Sequence, residues 1–318
     1  MKQVRYKGAA ALEMENDFLR VIILPGLGGK VASLYYKPKE FEAAAQTERR
    51  YPERYEAHTL FSEGDSSGLD EAFPTIVASS PEYGDRRFWY PDHGEIWKSA
   101  MEYRIDGSGL ILTCQSARNP YRYKKELSLR QNELHYHVCI ENNSDMDFPC
   151  LWAFHGLMRY EPDMRLIFQD TIRCFLNVSD SRELGSADNR FYISEEGIWH
   201  CGQRIYDFTR VPPPEVVTEL KYYASDEVKR GACGYEYPVQ GVRCMLNYDE
   251  TKLPYLGFWV TAGAYRGDYN CAWEPSNSFY DGIGTAEKNR KLYVLKAGEE
   301  VSFSLCLSFE DLNLQTKS

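Results

Sequence analysis

The chain has 318 residues, 43% of them hydrophobic and 26% charged, with a formal charge of −10 and a pI near 5.3. That is the composition of a globular protein, long enough for one large domain or two ordinary ones. The acidic balance has no Lys/Arg block and argues against a nucleic-acid partner, and no apolar run reaches the roughly 18 residues of a membrane span.

In chain order, strand-like alternation dominates. The stretches 18–26 (FLRVIILPG), 30–36 (KVASLYY), 109–117 (GLILTCQSA), 124–144 (KKELSLRQNELHYHVCIENNS), 242–250 (VRCMLNYDE), 256–263 (LGFWVTAG) and 301–309 (VSFSLCLSF) are rich in β-branched and aromatic residues. Gly, Pro, Asn or Asp bound them. Hairpin turns are expected at Asp106-Gly107 and Gln131-Asn132. One helix is expected over 38–51 (PKEFEAAAQTERRY), from its alanines and its early proline. The Pro-rich stretch 210–217 reads as a surface loop. Strand after strand with almost no helical crossover predicts an all-β, large antiparallel β-sandwich forming a single domain over 1–318.

Nine cysteines, an odd number without CxxC pairs, read as reduced, mostly buried thiols of a cytoplasmic protein. The start of the chain lacks the apolar core of a signal peptide, so no leader is expected.

Few histidines need separate consideration. His58 and His200 lie in polar, loop-like surroundings. His135 and His137 share one face of a strand, as the beginning of a metal site would. Further ligands have no source nearby in sequence, and strands often carry His on the solvent side, so no metal is expected. His93 (FWYPDHGEIW) and His155 (FPCLWAFHGLM) each follow aromatic-rich runs and each precede glycine. A core histidine bonded to a backbone carbonyl is the alternative for either one alone. Glu274 (YNCAWEPSNSFYDG) sits in an otherwise apolar strand-like run directly before Pro275. A carboxylate there must reach solvent or have a task that offsets its desolvation. Together the three supply a carboxylate base and an imidazole acid. Trp97, Trp152 and Trp273 are candidates for a sugar-stacking wall, with simple core packing as the alternative.

These segments, in this order, resemble the galactose mutarotase-like (aldose 1-epimerase) superfamily over most of the chain. The opening strand pair 16–34, the PDHGEIW segment with His93, the hairpin 140–158 leading to His155, the late strand with Glu274 and the closing pair 292–309 carry the resemblance. It implies a large antiparallel β-sandwich and a free sugar as the small-molecule partner. It also implies interconversion of anomers without a cofactor. In that reading Glu274 takes the proton of the anomeric hydroxyl, His155 protonates the ring oxygen, and His93 holds the ring.

The sequence departs from the galactose-type pattern in two places. The early Asn-Arg motif is replaced by SSGLDEAFPTI, which contains Asp70 and Glu71. The later Tyr-Asp-His motif has no clear counterpart, and Asp249 is a weak substitute. Asp70, Glu71, Arg86 and Asp249 are therefore candidate substrate contacts, and the identity of the sugar stays open. A non-catalytic carbohydrate-binding protein is one rival reading. A glycoside hydrolase or lyase, using Glu274 with Asp70 or Glu71 as paired carboxylates, is another.

Overall fold

The computed structural model describes residues 1–313. The expected strands form at Leu19–Leu24, Lys30–Tyr36, Gly109–Gln115, Tyr121–Arg130, Glu133–Asn142, Val242–Tyr248, Tyr255–Ala262 and Glu300–Asp311. Both expected hairpins are present. Gly107 and Gln131 take the positive φ values, 59° and 49°, that such tight turns require.

The expected helix over 38–51 does not form. A single 3-10 turn, Lys37–Lys39, ends at Glu40, whose φ is 48°. Phe41–Glu42 then pair back onto Tyr35–Tyr36 as a strand. The Glu42 carboxylate accepts the Leu34 N–H at 2.7 Å and the Ala44 N–H at 3.2 Å, and Ala43, Ala44 and Ala45 are buried. Burial of all three alanines in extended chain overrides their helical propensity.

Among the described residues, one sheet has 13 strands and a second has 8. In the middle of the larger sheet, Leu69–Ala72, Ala153–Gly156, Tyr269–Ser276, Tyr255–Ala262 and Thr218–Ala224 lie side by side. The second sheet places Val242–Tyr248, Glu300–Asp311, Glu133–Asn142 and Tyr121–Arg130 next to one another. Alternation points Leu134, Tyr136, Val138 and Ile140 inward. The sheets meet through aromatic contacts. Trp152 stacks on Phe303 at 4.8 Å and Phe154 meets Tyr136 edge-on at 5.6 Å. This is a large antiparallel β-sandwich.

A buried ion pair crosses the layer between the sheets. Lys125, from the smaller sheet, reaches Glu71 of the larger one at 2.6 Å, and both side chains are 0% exposed. The Lys125 ammonium also donates to the carbonyls of Gly28 and Gly29 at 3.0 and 3.1 Å. Burial pushes the Glu71 carboxyl above its ordinary value, against the pull of Lys125. Glu71 therefore faces the interior and is not a substrate contact. Removing one member of a buried pair strands the other. Lys125→Met is expected to destabilise the fold by about 3–5 kcal/mol. Replacing Glu71 and Lys125 together by apolar residues should cost less than the two single changes summed, as measured by urea denaturation.

Candidate functional site

A cavity of about 330 Å³ opens on the outer face of the larger sheet, and His93, His155, Lys221, Trp259, Glu274 and Asp281 line it. Strand alternation selects most of these side chains. His155, Glu274, Trp259 and Lys221 sit on neighbouring strands and face out, whereas Phe154, Trp273, Phe258 and Tyr222 face the core.

Glu274 is fully buried at the cavity floor. Its Oε2 is in close contact with the Lys221 ammonium. Its Oε1 is buried and has no hydrogen-bond partner among the described residues. The residue opposite Glu274 in the next strand is Gly257. A Cβ on Gly257 would lie 2.8 Å from the Tyr223 ring, so only glycine lets that ring pack there. The Tyr223 hydroxyl in turn donates to Asp281 at 2.6 Å, and Asp281 stands 3.6 Å from Lys221. Burial opposes a charge on Lys221, but the Asp281 and Glu274 carboxylates outweigh it and hold the ammonium above its ordinary pKa. Lys221 thus fixes one oxygen of Glu274 and leaves the other uncommitted.

His155 is fixed from behind. Its Nδ1 lies 2.9 Å from Asp70 Oδ1, across the register pair His155↔Asp70. Asp70 also lies 3.1 Å from Lys30, which reaches Asp65 at 2.8 Å and the Ser67 carbonyl at 2.9 Å. Burial alone would raise the Asp70 carboxyl. The Lys30 ammonium and the His155 hydrogen bond outweigh it and hold Asp70 well below the usual carboxylate range. An ionised Asp70 can only accept, so Nδ1 carries the hydrogen and Nε2 is left to exchange a proton.

His93 enters from a loop. Its φ is 55° and that of Gly94 is 69°, and a Cβ on Gly94 would fall 1.9 Å from the Phe73 carbonyl oxygen. Two consecutive left-handed residues therefore let the loop press against Phe73. Glu95 anchors it by accepting from Ser116, Asn119 and Tyr121 at 2.7, 3.1 and 2.9 Å. The His93 ring stacks on Phe61 at 3.5 Å and meets the His155 ring edge-on at 5.1 Å. Burial lowers the His93 pKa, Asp92 opposes this, and His155 and Lys221 reinforce it. A neutral imidazole follows.

The structure brings His93, His155 and Glu274 into one cavity, and seats Asp70 directly behind His155. The remaining expected contacts lie elsewhere. Trp152 and Trp273 are core residues, with indole N–H groups bonded to Tyr123 and the Gly234 carbonyl. Trp97 is buried behind Phe61 and Tyr55. Arg86 lies in the short hairpin Glu82–Tyr83/Arg86–Arg87 and covers the Phe88 ring at 5.1 Å. Asp249 caps its own turn through Thr251 at 2.6 Å, next to the other sheet. The side chains that fill the vacated places are Lys221, Asp281, Trp259 and Phe61. Lys221 was discernible as a cation at an outward position of the alternating run Thr218–Ala224.

No family model matches the sequence, and no curated protein is detectably similar to it. Solved structures are similar in fold. A galactose mutarotase-like protein from Lactobacillus casei superposes with a TM-score of 0.69 at 14% identity, over 94% of this chain and 100% of the other. One from Clostridium acetobutylicum gives 0.67 at 16%, over 98% of each chain. A candidate aldose 1-epimerase from Escherichia coli K12 gives 0.69 at 14%, over 95% and 99%. The chain has the galactose mutarotase-like fold.

Asp70 generates a pH dependence. Its folded-state pKa is depressed, so its stabilisation is complete above the ordinary carboxylate pKa and is lost as the pH falls below it. Asp70→Asn should lower stability at pH 7 by about 2 kcal/mol. It should also lose less further stability than the wild type between about pH 5 and pH 2. Urea titrations at several pH values check both outcomes.

Proposed function

We propose that the cavity binds a free sugar and interconverts its α and β anomers, making the protein an isomerase of the aldose 1-epimerase type. The observation that carries this reading is the buried, unpartnered Oε1 of Glu274, in the same cavity as a histidine whose other nitrogen is tied to Asp70. The named fold relatives support the reaction class.

In this mechanism Glu274 Oε1 accepts the proton of the anomeric hydroxyl while His155 Nε2 delivers one to the ring oxygen. The C1–O5 bond breaks, C1 becomes a carbonyl carbon, and the ring opens. After rotation about C1–C2 the O5 hydroxyl adds to the other face of C1. His155 recovers its proton and Glu274 returns its own. His93, neutral and stacked on Phe61, holds a ring oxygen or hydroxyl by hydrogen bonding. Trp259 and Phe61 offer the apolar ring face its packing surface. Apart from the cleavage and re-formation of C1–O5 the chemistry is proton transfer, and each positioned acid or base is worth about 10²–10⁴-fold.

The charge of the lining supports a neutral sugar over a phosphorylated, sulfonated or uronic one. Asp92, Glu219, Glu274 and Asp281 face a single ammonium, Lys221, which is already paired with two of them. The hydrolase alternative is weakened because Asp70 is engaged behind His155 and Glu71 lies on the core side. The lyase variant of that reading would reveal itself by an unsaturated, ultraviolet-absorbing product. A carbohydrate-binding protein without turnover is the remaining alternative. A single-domain chain is supported by the continuous core between the sheets. A cytoplasmic setting is supported by the nine unpaired thiols.

Magnetisation-exchange NMR on a panel of sugars tests the reaction. Anomer exchange should accelerate for a neutral aldose, and Glu274→Gln should slow it by about 10²–10⁴-fold with binding retained. Equal binding with no turnover in either protein would leave the binding module. The 6-phosphate or uronate of the accepted sugar should bind at least about tenfold more weakly, and the difference should shrink with added salt.

A further inference from the structure

The outer face of the smaller sheet carries a second group of reactive side chains, remote in function from the cavity. On Glu133–Asn142, alternation turns Glu133, His135 and His137 outward while Leu134, Tyr136 and Val138 go to the core. The neighbouring strand Glu300–Asp311 is in antiparallel register, with His135 opposite Cys306 and His137 opposite Ser304. A carboxylate oxygen of Glu133, a ring nitrogen of His135 and the Cys306 sulfur all lie within 4.8 Å of one another. Among the described residues this is the one such grouping of ligand-type side chains. His137 stands apart, bonded to Ser304 at 3.0 Å.

We infer that Glu133, His135 and Cys306 form a binding site for a borderline transition-metal ion, Zn²⁺ by its ligand chemistry. One thiolate, one imidazole and one carboxylate suit Zn²⁺, whereas Mg²⁺ and Ca²⁺ take oxygen ligands. Two positions lie on one strand and the third on its hydrogen-bonded neighbour, so sheet geometry and not a loop sets the spacing. At present His135 Nε2 and Glu133 Oε2 are 2.8 Å apart. An ion between them replaces that hydrogen bond with two coordinate bonds. The Cys306 thiol gives its proton to solvent as sulfur binds the metal. A groove of about 800 Å³ fronts His135 and Cys306 and leaves the fourth tetrahedral position to water or to an incoming ligand. The His135/His137 pair on its own lacked further ligands in the sequence. Cys306 supplies one from 171 residues away in sequence (306 − 135), brought alongside by the closing strand.

Cobalt(II) titration of the intact, metal-free protein tests this directly. The expected result is a thiolate-to-cobalt charge-transfer band in the near ultraviolet that stoichiometric Zn²⁺ abolishes. Cys306→Ser should remove the band, and His135→Gln should weaken Co²⁺ and Zn²⁺ binding by at least about tenfold. Cys201→Ser, which alters the exposed thiol of the hairpin Ile198–Cys201/Arg204–Asp207, should leave the band intact. In the unmodified protein Zn²⁺ should also protect Cys306, but not Cys201, from alkylation by iodoacetamide. No thiolate band, a band that survives Cys306→Ser, affinity unmoved by His135→Gln, or equal alkylation of Cys306 with and without Zn²⁺ would overturn the site. None of these readouts depends on sugar turnover.

Discussion

Side-chain alternation along the central strands of the larger sheet is the constraint from which the candidate site follows. Each strand there must give the core a set of large apolar residues, and it does so with every second position. The intervening positions are then free to carry charge. Trp273 and Glu274 are adjacent in sequence and separated by the whole thickness of the sheet. Asp70 and Glu71 are divided in the same way, one towards His155 and one towards Lys125. A one-residue slip in register would exchange these faces and place the ionisable groups in the core.

Three largely buried lysines organise the charges that remain. Lys30, Lys125 and Lys221 are 2%, 0% and 9% exposed, and each is paired with at least one buried carboxylate. An isolated buried charge would cost several kcal/mol, so these pairs are the condition for keeping carboxylates out of water at all. Their consequences differ with depth. Lys125 binds one sheet to the other. Lys30 keeps Asp70 ionised and thereby fixes the tautomer of His155. Lys221 lies in the cavity wall itself, where it orients Glu274 and cancels part of the negative field that Asp92, Glu219 and Asp281 create.

Much of this was legible in the sequence because periodicity is local. The strands and both hairpin turns follow from alternation and turn residues read a few positions at a time. The segments carrying His93, His155 and Glu274 were distinguished by polar residues in aromatic-rich surroundings. The misassigned tryptophans show where that reading stops. Proximity in sequence placed Trp273 beside Glu274, although neighbouring positions on a strand must face opposite ways. Lys221 stands out in the sequence only as a cation at an outward strand position, without its partners. The Lys221–Glu274 pair joins residues 53 apart in sequence, and such pairing is decided by strand order, which no local pattern encodes. The stretch 38–51 was misread as helix because burial of Ala43–Ala45 against the sheet outweighs a propensity worth only tenths of a kcal/mol per residue.

In the proposed mechanism Glu274 acts on the anomeric hydroxyl of a sugar and His155 on its ring oxygen. A crystal structure of the Glu274→Gln protein soaked with a neutral aldose tests this arrangement. The sugar is expected in the cavity, with its C1 hydroxyl at hydrogen-bond distance from the Gln side chain and its ring oxygen facing His155 Nε2. A sugar bound in the cavity with its anomeric carbon turned to the mouth, or one bound only elsewhere on the protein, would contradict it.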